Sequence, residues 1–441
     1  MTKPTNQRIA TIGVYTATAI VIANMIGTGV FGSLGYQVLS IRSVFAIIML
    51  WVTGGLLSFC GALSYAELGA ALPRSGGEYN FLSHIYHPIL GFISGWVSLV
   101  AGFAAPIAAA SILFGKYFSN VNPDLLNGDK AAVGIIIVIS IIHTINTAVG
   151  GTFQRIMTIL KVLIIAVFVI AGFLYIPTFD SSVLPQKGDV DYIFSNGFAI
   201  SLIYVSYAYS GWNASAYIAG EMKEPGKNIP RSILYGTVIV TLLYVLLNYV
   251  FLHTVPMDQL AGKPDVGHES AKAIFGENGG RIMSGIIAFL LISTISYMIF
   301  AGPRVLQVMG EDTYMLKFLS VKSISHIPYV ALWFQSIIAI TLVVTGSFDT
   351  IINYVGFTLQ LITFLTVLGV IILRIKEPKL ERPFKTWGYP VVPILFLALT
   401  AWILYSVFSE KPLVGLVGVG TLVLGGLIYY LDKTFFKEEN S

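Results

Sequence analysis

Residues 23–31 read Ala-Asn-Met-Ile-Gly-Thr-Gly-Val-Phe and lie near the centre of the first long apolar segment, which runs from Ile12 to about Leu39. A transmembrane helix needs roughly 20 apolar residues, so this segment is long enough to cross a bilayer. Each glycine lowers helix stability by about 0.8–1 kcal/mol relative to alanine. Backbone groups that are freed at membrane depth need protein or a polar cavity to satisfy them. The stretch therefore predicts a helix that breaks near Gly27.

A broken helix exposes N–H donors at the start of one half and C=O acceptors at the end of the other. These two ends complement the carboxylate and the ammonium group of a zwitterion. Discontinuous helices are also typical of secondary transporters, where they form a substrate site near the bilayer midplane. The first segment thus predicts a transporter of amino acids.

The composition predicts that the whole chain is one membrane domain. Of its 441 residues, 56% are hydrophobic and 11% are charged, whereas about 25% of the residues of soluble domains are charged. Apolar segments recur along the whole length, so we expect a single transmembrane domain over residues 1–441. We predict an all-α integral membrane protein with twelve spans, at residues 12–39, 44–71, 88–118, 131–148, 153–176, 193–220, 232–253, 281–309, 329–346, 350–374, 390–409 and 413–431.

The basic residues predict how these spans are oriented. Seventeen of the 26 Lys and Arg residues fall on the side of the two termini, and eight fall on the opposite side. Because cytoplasmic loops carry an excess of Lys and Arg, we predict a multi-pass protein of the plasma membrane with both termini in the cytoplasm. This asymmetry explains the net charge of +4 without a nucleic-acid partner. The single cysteine, Cys60, excludes an intrachain disulfide.

The sixth predicted span is interrupted in the same way as the first. Residues 206–213 read Ser-Tyr-Ala-Tyr-Ser-Gly-Trp-Asn in the middle of an apolar run. Two interrupted spans separated by four ordinary ones favour an inverted repeat of five plus five helices, although close helix packing is an alternative reason for the glycines. The repeats would cover about 12–176 and 193–374, and two extra helices would cover about 390–431.

Six motifs occur in order over nearly the whole chain, at residues 26–31, 65–68, 73–79, 208–213, 221–231 and 382–385. Together they resemble the amino acid–polyamine–organocation superfamily, and within it the L-type amino-acid transporter branch. The resemblance implies a LeuT-like fold with a five-plus-five inverted repeat and discontinuous helices 1 and 6. It also implies that the last two of the twelve helices lie outside the repeat.

The resemblance places the substrate between the two interrupted spans. It implies that the carboxylate lies against the backbone N–H groups of Thr28 and Gly29, where a helix N-terminus carries a positive partial charge. Carbonyl groups near Met25, Tyr207 and Ser210 would hold the ammonium group. The predicted substrate-binding residues are Met25, Ile26, Gly27, Thr28, Gly29, Tyr207, Ser210 and Asn213.

Two residues in this set depart from the common family pattern. Tyr207 matches a position where relatives often carry phenylalanine as an aromatic gate over the substrate. Ser210 replaces a frequent glycine, which predicts a smaller pocket for the substrate side chain.

Lys161 lies about two helical turns inside the fifth apolar span. A charge at that depth is unfavourable by about 2.5–3.5 kcal/mol on insertion scales, so it is a functional candidate; snorkelling to the membrane surface is the alternative. In sodium-coupled members of this fold, the fifth span meets the first and eighth at a sodium site. The resemblance implies that the Lys161 ammonium takes that place, against carbonyls of the first span and hydroxyls such as Ser293 or Thr294.

The charged residues at the cytoplasmic ends of the spans are predicted to anchor loops, with gating as the alternative; they are Glu67, Arg74, Glu78, Arg155 and Glu221. A metal-ion carrier of this fold would need carboxylate and thioether ligands, whereas the two breaks offer hydroxyl and amide groups. A membrane enzyme would need acids, bases or metal ligands clustered near one face, and the sequence shows no such cluster. We therefore predict no metal, no cofactor, no enzymatic activity and no obligatory protein partner.

The predicted function is sodium-independent secondary transport of small neutral L-amino acids by exchange. Proton-coupled symport is the alternative mechanism. A nontransporting amino-acid sensor of the same fold is the alternative class.

Overall fold

The computed structural model describes residues 12–74, 76–121, 124, 127–145, 150–179, 181–323 and 326–435. Residues 1–11 and 436–441, on which the predicted placement of the termini depends, lie outside these ranges, as does the side chain of Arg155. Regular secondary structure within the ranges is helical, apart from one isolated backbone bridge between Ile12 and Met222. The predicted all-α class is confirmed.

Nineteen α-helices follow one another along the described part of the chain: α1 (Val14–Met25), α2 (Thr28–Gly32), α3 (Leu34–Ser40), α4 (Val44–Ala71), α5 (Glu78–Ile85), α6 (Pro88–Val97), α7 (Ala105–Val121), α8 (Gly128–Ile145), α9 (Gly150–Phe173), α10 (Asp189–Ile193), α11 (Asn196–Tyr209), α12 (Ala214–Tyr217), α13 (Pro225–Thr254), α14 (Met257–Leu260), α15 (Val266–Asp312), α16 (Tyr329–Thr345), α17 (Phe348–Lys376), α18 (Val391–Glu410) and α19 (Pro412–Phe435). A π-helix, Ser98–Ala104, joins α6 to α7. Two short 3-10 helices, Ala219–Glu221 and Lys317–Ser320, follow α12 and α15.

Ten helical segments among the described residues are long and apolar enough to cross a membrane, by length and composition. The chain is therefore a multi-pass membrane protein. The predicted spans at 193–220 and 329–346 are not among the ten, because α11 has 14 residues and α16 has 17. At a rise of 1.5 Å per residue these helices extend over only about 21 and 26 Å, and the hydrocarbon core is about 30 Å thick. The count of twelve spans stays a prediction.

Helices α1 and α11, which end at the two interruptions, lie inside the helical bundle. Helix α1 packs on α13, and α11 packs between α4 and α17. Val21 of α1 and Ile203 of α11 are fully buried. Close approach of α17 to α11 depends on Gly356, where a Cβ atom would lie 2.5 Å from Cγ2 of Ile203. The surrounding helices therefore bury part of each interrupted segment.

The motif at residues 382–385 has a structural explanation in a buried ionic network. Glu67 of α4 is 2% exposed and accepts two hydrogen bonds from Arg374 of α17, at 2.8 and 2.7 Å. It also accepts one from the backbone N–H of Thr386 at 2.7 Å. Arg382 donates to the carbonyl groups of Leu373 and Glu377 and so caps the end of α17. Paired in this way, the buried charge is compensated, and the loop that leads to α18 is fixed against α4.

Candidate functional site

The first interruption separates α1 from α2 at Ile26 and Gly27. The backbone of Ile26 is extended, with ψ at 90°, and Gly27 has φ −133° and ψ −146°. Helix α2 then begins at Thr28, which is 2% exposed. The predicted break near Gly27 is thus found at this position, with the C-terminal end of α1 and the N-terminal end of α2 facing each other across two residues.

The second interruption separates α11 from α12 at residues 210–213. Ser210 has an extended ψ of 148°, and Gly211 has φ 101°. A non-glycine residue rarely adopts that φ value. A Cβ atom at Gly211 would also lie 2.9 Å from the carbonyl carbon and oxygen of Asn24. Glycine is required here for both its conformation and its lack of a side chain.

The two interruptions contact each other directly. A Cβ atom at Gly29 would lie 2.4 Å from Cα of Ala208, so α2 and α11 touch through their backbones. The hydroxyl groups of Thr28 and Tyr207 share a hydrogen bond of 2.8 Å at the same level. Four predicted site residues, Thr28, Gly29, Tyr207 and Ser210, therefore belong to one cluster at the meeting of the two breaks.

Two carbonyl groups that were predicted to hold an ammonium group already accept internal hydrogen bonds. The carbonyl oxygen of Met25 accepts from the Tyr244 hydroxyl at 2.6 Å. That of Tyr207 accepts from the Ser210 backbone N–H at 3.0 Å and from the Ser210 hydroxyl at 2.7 Å. Tyr244 is not predictable as a site residue, because a tyrosine in the apolar α13 carries no local signal of a polar contact 219 residues away.

Lys161 lies in α9 and is 5% exposed. Its Nζ atom donates to the carbonyl oxygen of Ile26 at 3.1 Å and to the Thr294 hydroxyl at 2.9 Å. The Ser293 hydroxyl donates to the carbonyl of Leu290 at 2.8 Å. Lys161 thus joins three helices at the first interruption: α9, the end of α1, and α15. The Lys161 amino group lies where the C-terminal end of α1 carries a negative partial charge.

Asn213 is half-buried and precedes α12 as its N-cap residue. Its amide Nδ2 donates to Oε1 of Glu78 at 2.6 Å and to the Tyr217 hydroxyl at 3.2 Å. Glu78 opens α5 and is 7% exposed. Glu78 is predicted above to anchor a loop. Its contact with Asn213 is not predictable from the sequence, because 135 residues separate the two side chains.

The other tyrosines of the sixth span point to different surroundings. The Tyr204 hydroxyl donates to Asp349 of α17, and its ring stacks on Tyr36 with centroids 5.9 Å apart. The Tyr209 hydroxyl donates to the carbonyl of Trp51 at 3.1 Å. Of the tyrosines in α11, Tyr207 is therefore the one whose hydroxyl contacts the first interruption.

A comparison of the whole sequence with known families defines the class. The model of the family described as "Amino acid permease" matches residues 12–427. The chain belongs to this family, within the amino acid–polyamine–organocation superfamily, and the predicted resemblance is confirmed. Members of this class are amino-acid transporters and not enzymes.

The curated relatives cover most of the chain at low identity. The "b(0,+)-type amino acid transporter 1" of Mus musculus is 27% identical over 97% of this chain and 88% of its own length. The protein of that name from Homo sapiens is 28% identical with the same coverage. The "Large neutral amino acids transporter small subunit 2" of Oryctolagus cuniculus is 28% identical over 95% of this chain and 80% of its own length.

Proposed function

We propose that this chain is a sodium-independent secondary transporter that exchanges small neutral L-amino acids across the plasma membrane by alternating access. The observation that carries the proposal is the direct contact of two interrupted helices, with Thr28 and Gly29 on one and Tyr207 and Ser210 on the other. Helix ends of both polarities meet there, and they complement the two charges of a zwitterion. The names of the relatives, which concern amino-acid transport, support the substrate class.

The proposal includes a LeuT-like arrangement of twelve spans with both termini in the cytoplasm. Five spans would form each inverted repeat, about 12–176 and 193–374, with helices α18 and α19 outside them. The interruptions in α1–α2 and α11–α12 would then occupy corresponding positions in the two repeats. The excess of basic residues on the side of the termini supports this orientation.

The substrate site would bind the carboxylate at the N–H groups of Thr28 and Gly29, with Met25, Ile26 and Gly27 forming the other side of the first break. These contacts come mostly from backbone, so they fit any α-amino acid. Tyr207 and Ser210 present no ionised side chain to pair with a charged substrate side chain, and burial of an unpaired charge is unfavourable. Neutral substrates are therefore favoured.

Flux measurements on the purified chain in proteoliposomes test the function. Exchange predicts that unlabelled alanine inside the vesicles accelerates uptake of labelled alanine. Net uptake driven by an imposed pH gradient would instead establish symport, and binding without flux would establish a sensor. Absence of both binding and flux for every neutral amino acid would overturn the proposed substrate class. Because the protein is reconstituted alone, the same assay tests the proposal that no obligatory protein partner is needed.

Replacing Ser210 with glycine is expected to widen the substrate range. The Ser210 hydroxyl is hydrogen-bonded to the carbonyl of Tyr207, so the side chain contributes mainly bulk to the pocket. A change of one or two heavy atoms in such a pocket alters discrimination by roughly tenfold or more. Competition against labelled alanine should show leucine and phenylalanine gaining by about that factor.

Ser210→Ala is the matched control, because it removes the hydroxyl and keeps the Cβ atom. Its substrate range should stay close to that of the unchanged protein. Tryptophan as the strongest competitor of the unchanged protein would contradict the size argument. Arginine or glutamate as the strongest would contradict the charge argument.

A further inference from the structure

We propose that Glu78 is a positioning residue that fixes the amide of Asn213, so that the carbonyl oxygen of Asn213 accepts a hydrogen bond from the substrate ammonium group. The inference rests on the proposed function. It assigns a role in the site to an acidic residue of the loop region, at the start of α5, outside the two interrupted helices.

The Glu78 carboxylate is built into the second interruption. Gly77, which precedes it, has φ 52°, and a Cβ atom there would lie 2.5 Å from Cε1 of Tyr217. Glycine thus allows the start of α5 to approach α12 closely. Besides the amide of Asn213, Oε1 of Glu78 accepts a hydrogen bond from the Tyr65 hydroxyl at 2.9 Å. A second residue of the interruption, Trp212, packs edge-on against the same Tyr65 ring at 4.7 Å.

The hydrogen bonds determine which end of the Asn213 amide is free. An ionised carboxylate can only accept hydrogen bonds, so the NH2 group of Asn213 must face Glu78. That NH2 group has two N–H donors, and they are directed to Glu78 at 2.6 Å and to Tyr217 at 3.2 Å. The Oδ1 atom of Asn213 accepts no hydrogen bond from the part of the chain that the structure describes. The group that Asn213 offers to a ligand is therefore its carbonyl oxygen, which can only accept hydrogen bonds.

The ammonium group of a substrate needs such an acceptor. A carbonyl oxygen has two lone pairs, and both of those on Tyr207 are engaged by Ser210, at 3.0 and 2.7 Å. The carbonyl of Met25 already accepts from Tyr244. An ammonium group carries three N–H donors, and leaving them unpaired on burial is unfavourable. The Met25 carbonyl keeps its second lone pair, and the Ser210 carbonyl is the third backbone acceptor predicted for the ammonium group. Oδ1 of Asn213 lies on the same non-helical segment as Ser210 and adds a side-chain acceptor to these.

Exchanging the carboxylate and the amide between positions 78 and 213 tests the proposal. In Asn213→Asp, two carboxylates would meet at the 2.6 Å contact, so the Asp side chain turns away or the charges repel. In Glu78→Gln combined with Asn213→Asp, the Gln NH2 group donates to the new carboxylate, whose second oxygen remains an acceptor. The total charge of the pair is then unchanged. Glu78→Gln alone keeps a carbonyl that can accept from Asn213.

The measurement is the binding of labelled alanine to the full chain and to each variant in detergent. We expect Asn213→Asp to weaken binding about 100-fold, because like charges at this distance repel. Glu78→Gln should weaken binding less than about tenfold, and the double variant should bind within about threefold of Glu78→Gln.

Undiminished binding by Asn213→Asp would overturn the proposal. A double variant that binds no better than Asn213→Asp would overturn it as well. If Asn213→Asp does not fold, the comparison of the double variant with Glu78→Gln is the test. An affinity for alanine that is well over threefold weaker in the double variant than in Glu78→Gln would contradict the proposal. Failure of the unchanged protein to bind any neutral amino acid would count against the proposed function instead.

Discussion

Replacing Gly29 with alanine is expected to abolish amino-acid binding. The new Cβ atom would lie 2.4 Å from Cα, 2.6 Å from Cβ and 3.0 Å from the backbone nitrogen of Ala208. None of these atoms is the end of a flexible side chain, so α2 and α11 would have to move apart. Overpacking of this kind is unfavourable by about 1–3 kcal/mol or more, and we expect affinity to fall at least about 100-fold, or about 2.7 kcal/mol.

Gly134→Ala, in α8 and outside the proposed site, is the matched control for this prediction. A Cβ atom at Gly134 would meet no atom within 4 Å in the described part of the chain. Affinity should therefore change less than about threefold. Titration of purified protein with a neutral amino acid measures both variants, and thermal unfolding in detergent verifies that each is folded. Undiminished affinity in Gly29→Ala would remove the first interruption from the proposed site.

The two interruptions were predictable from sequence because they arise from local chemistry. Gly27 and Gly29 in one apolar run, and Ser210, Gly211 and Asn213 in another, are residue types that weaken a helix wherever they occur. The structure places both breaks at these residues. Local signals of this kind do not depend on how the rest of the chain packs.

The length of several helices was less predictable, for a physical reason. Hydropathy identifies only the part of a helix that would lie in lipid. Polar turns that extend the helix beyond that part are therefore not predicted. The predicted span at 281–309 belongs to α15, which starts at Val266 and passes through a kink at Gly276. The π-helix at Ser98–Ala104 has no signature in the predicted span at 88–118, because a change of hydrogen-bond register leaves hydrophobicity unaltered.

The partners of the site residues could not be predicted from sequence. Tyr244 reaches Met25, and Glu78 reaches Asn213, across separations of 219 and 135 residues. Such contacts depend on which helices become neighbours. A single sequence carries no record of that arrangement. The Lys161 contacts with Ile26 and Thr294 were anticipated only through the family resemblance, which supplied the three-dimensional neighbourhood that spacing alone lacks.

Lys161→Met should reduce transport at least about 30-fold, since it keeps most of the side-chain volume but removes the charge. The carbonyl of Ile26 and the hydroxyl of Thr294 would lose their donor, at 3.1 and 2.9 Å in the unchanged protein. Each buried polar group without a partner is unfavourable by about 1–3 kcal/mol. The end of α1 would then no longer be tied to α9 and α15. Lys130→Met, at an exposed position of α8, is the control that should transport normally.

The same contacts support the proposal that transport does not depend on sodium. The tethered ammonium of Lys161 is 5% exposed and lies against the carbonyl at the end of α1, so a sodium ion placed beside it would be repelled in a medium of low dielectric constant. Uptake of labelled alanine should therefore be equal in sodium and choline buffers at constant pH. A collapse of uptake in choline would show that the cation at this junction is sodium, and the role proposed for Lys161 would be wrong. Normal uptake in choline together with loss in Lys161→Met would leave the ammonium as the cation that joins the three helices.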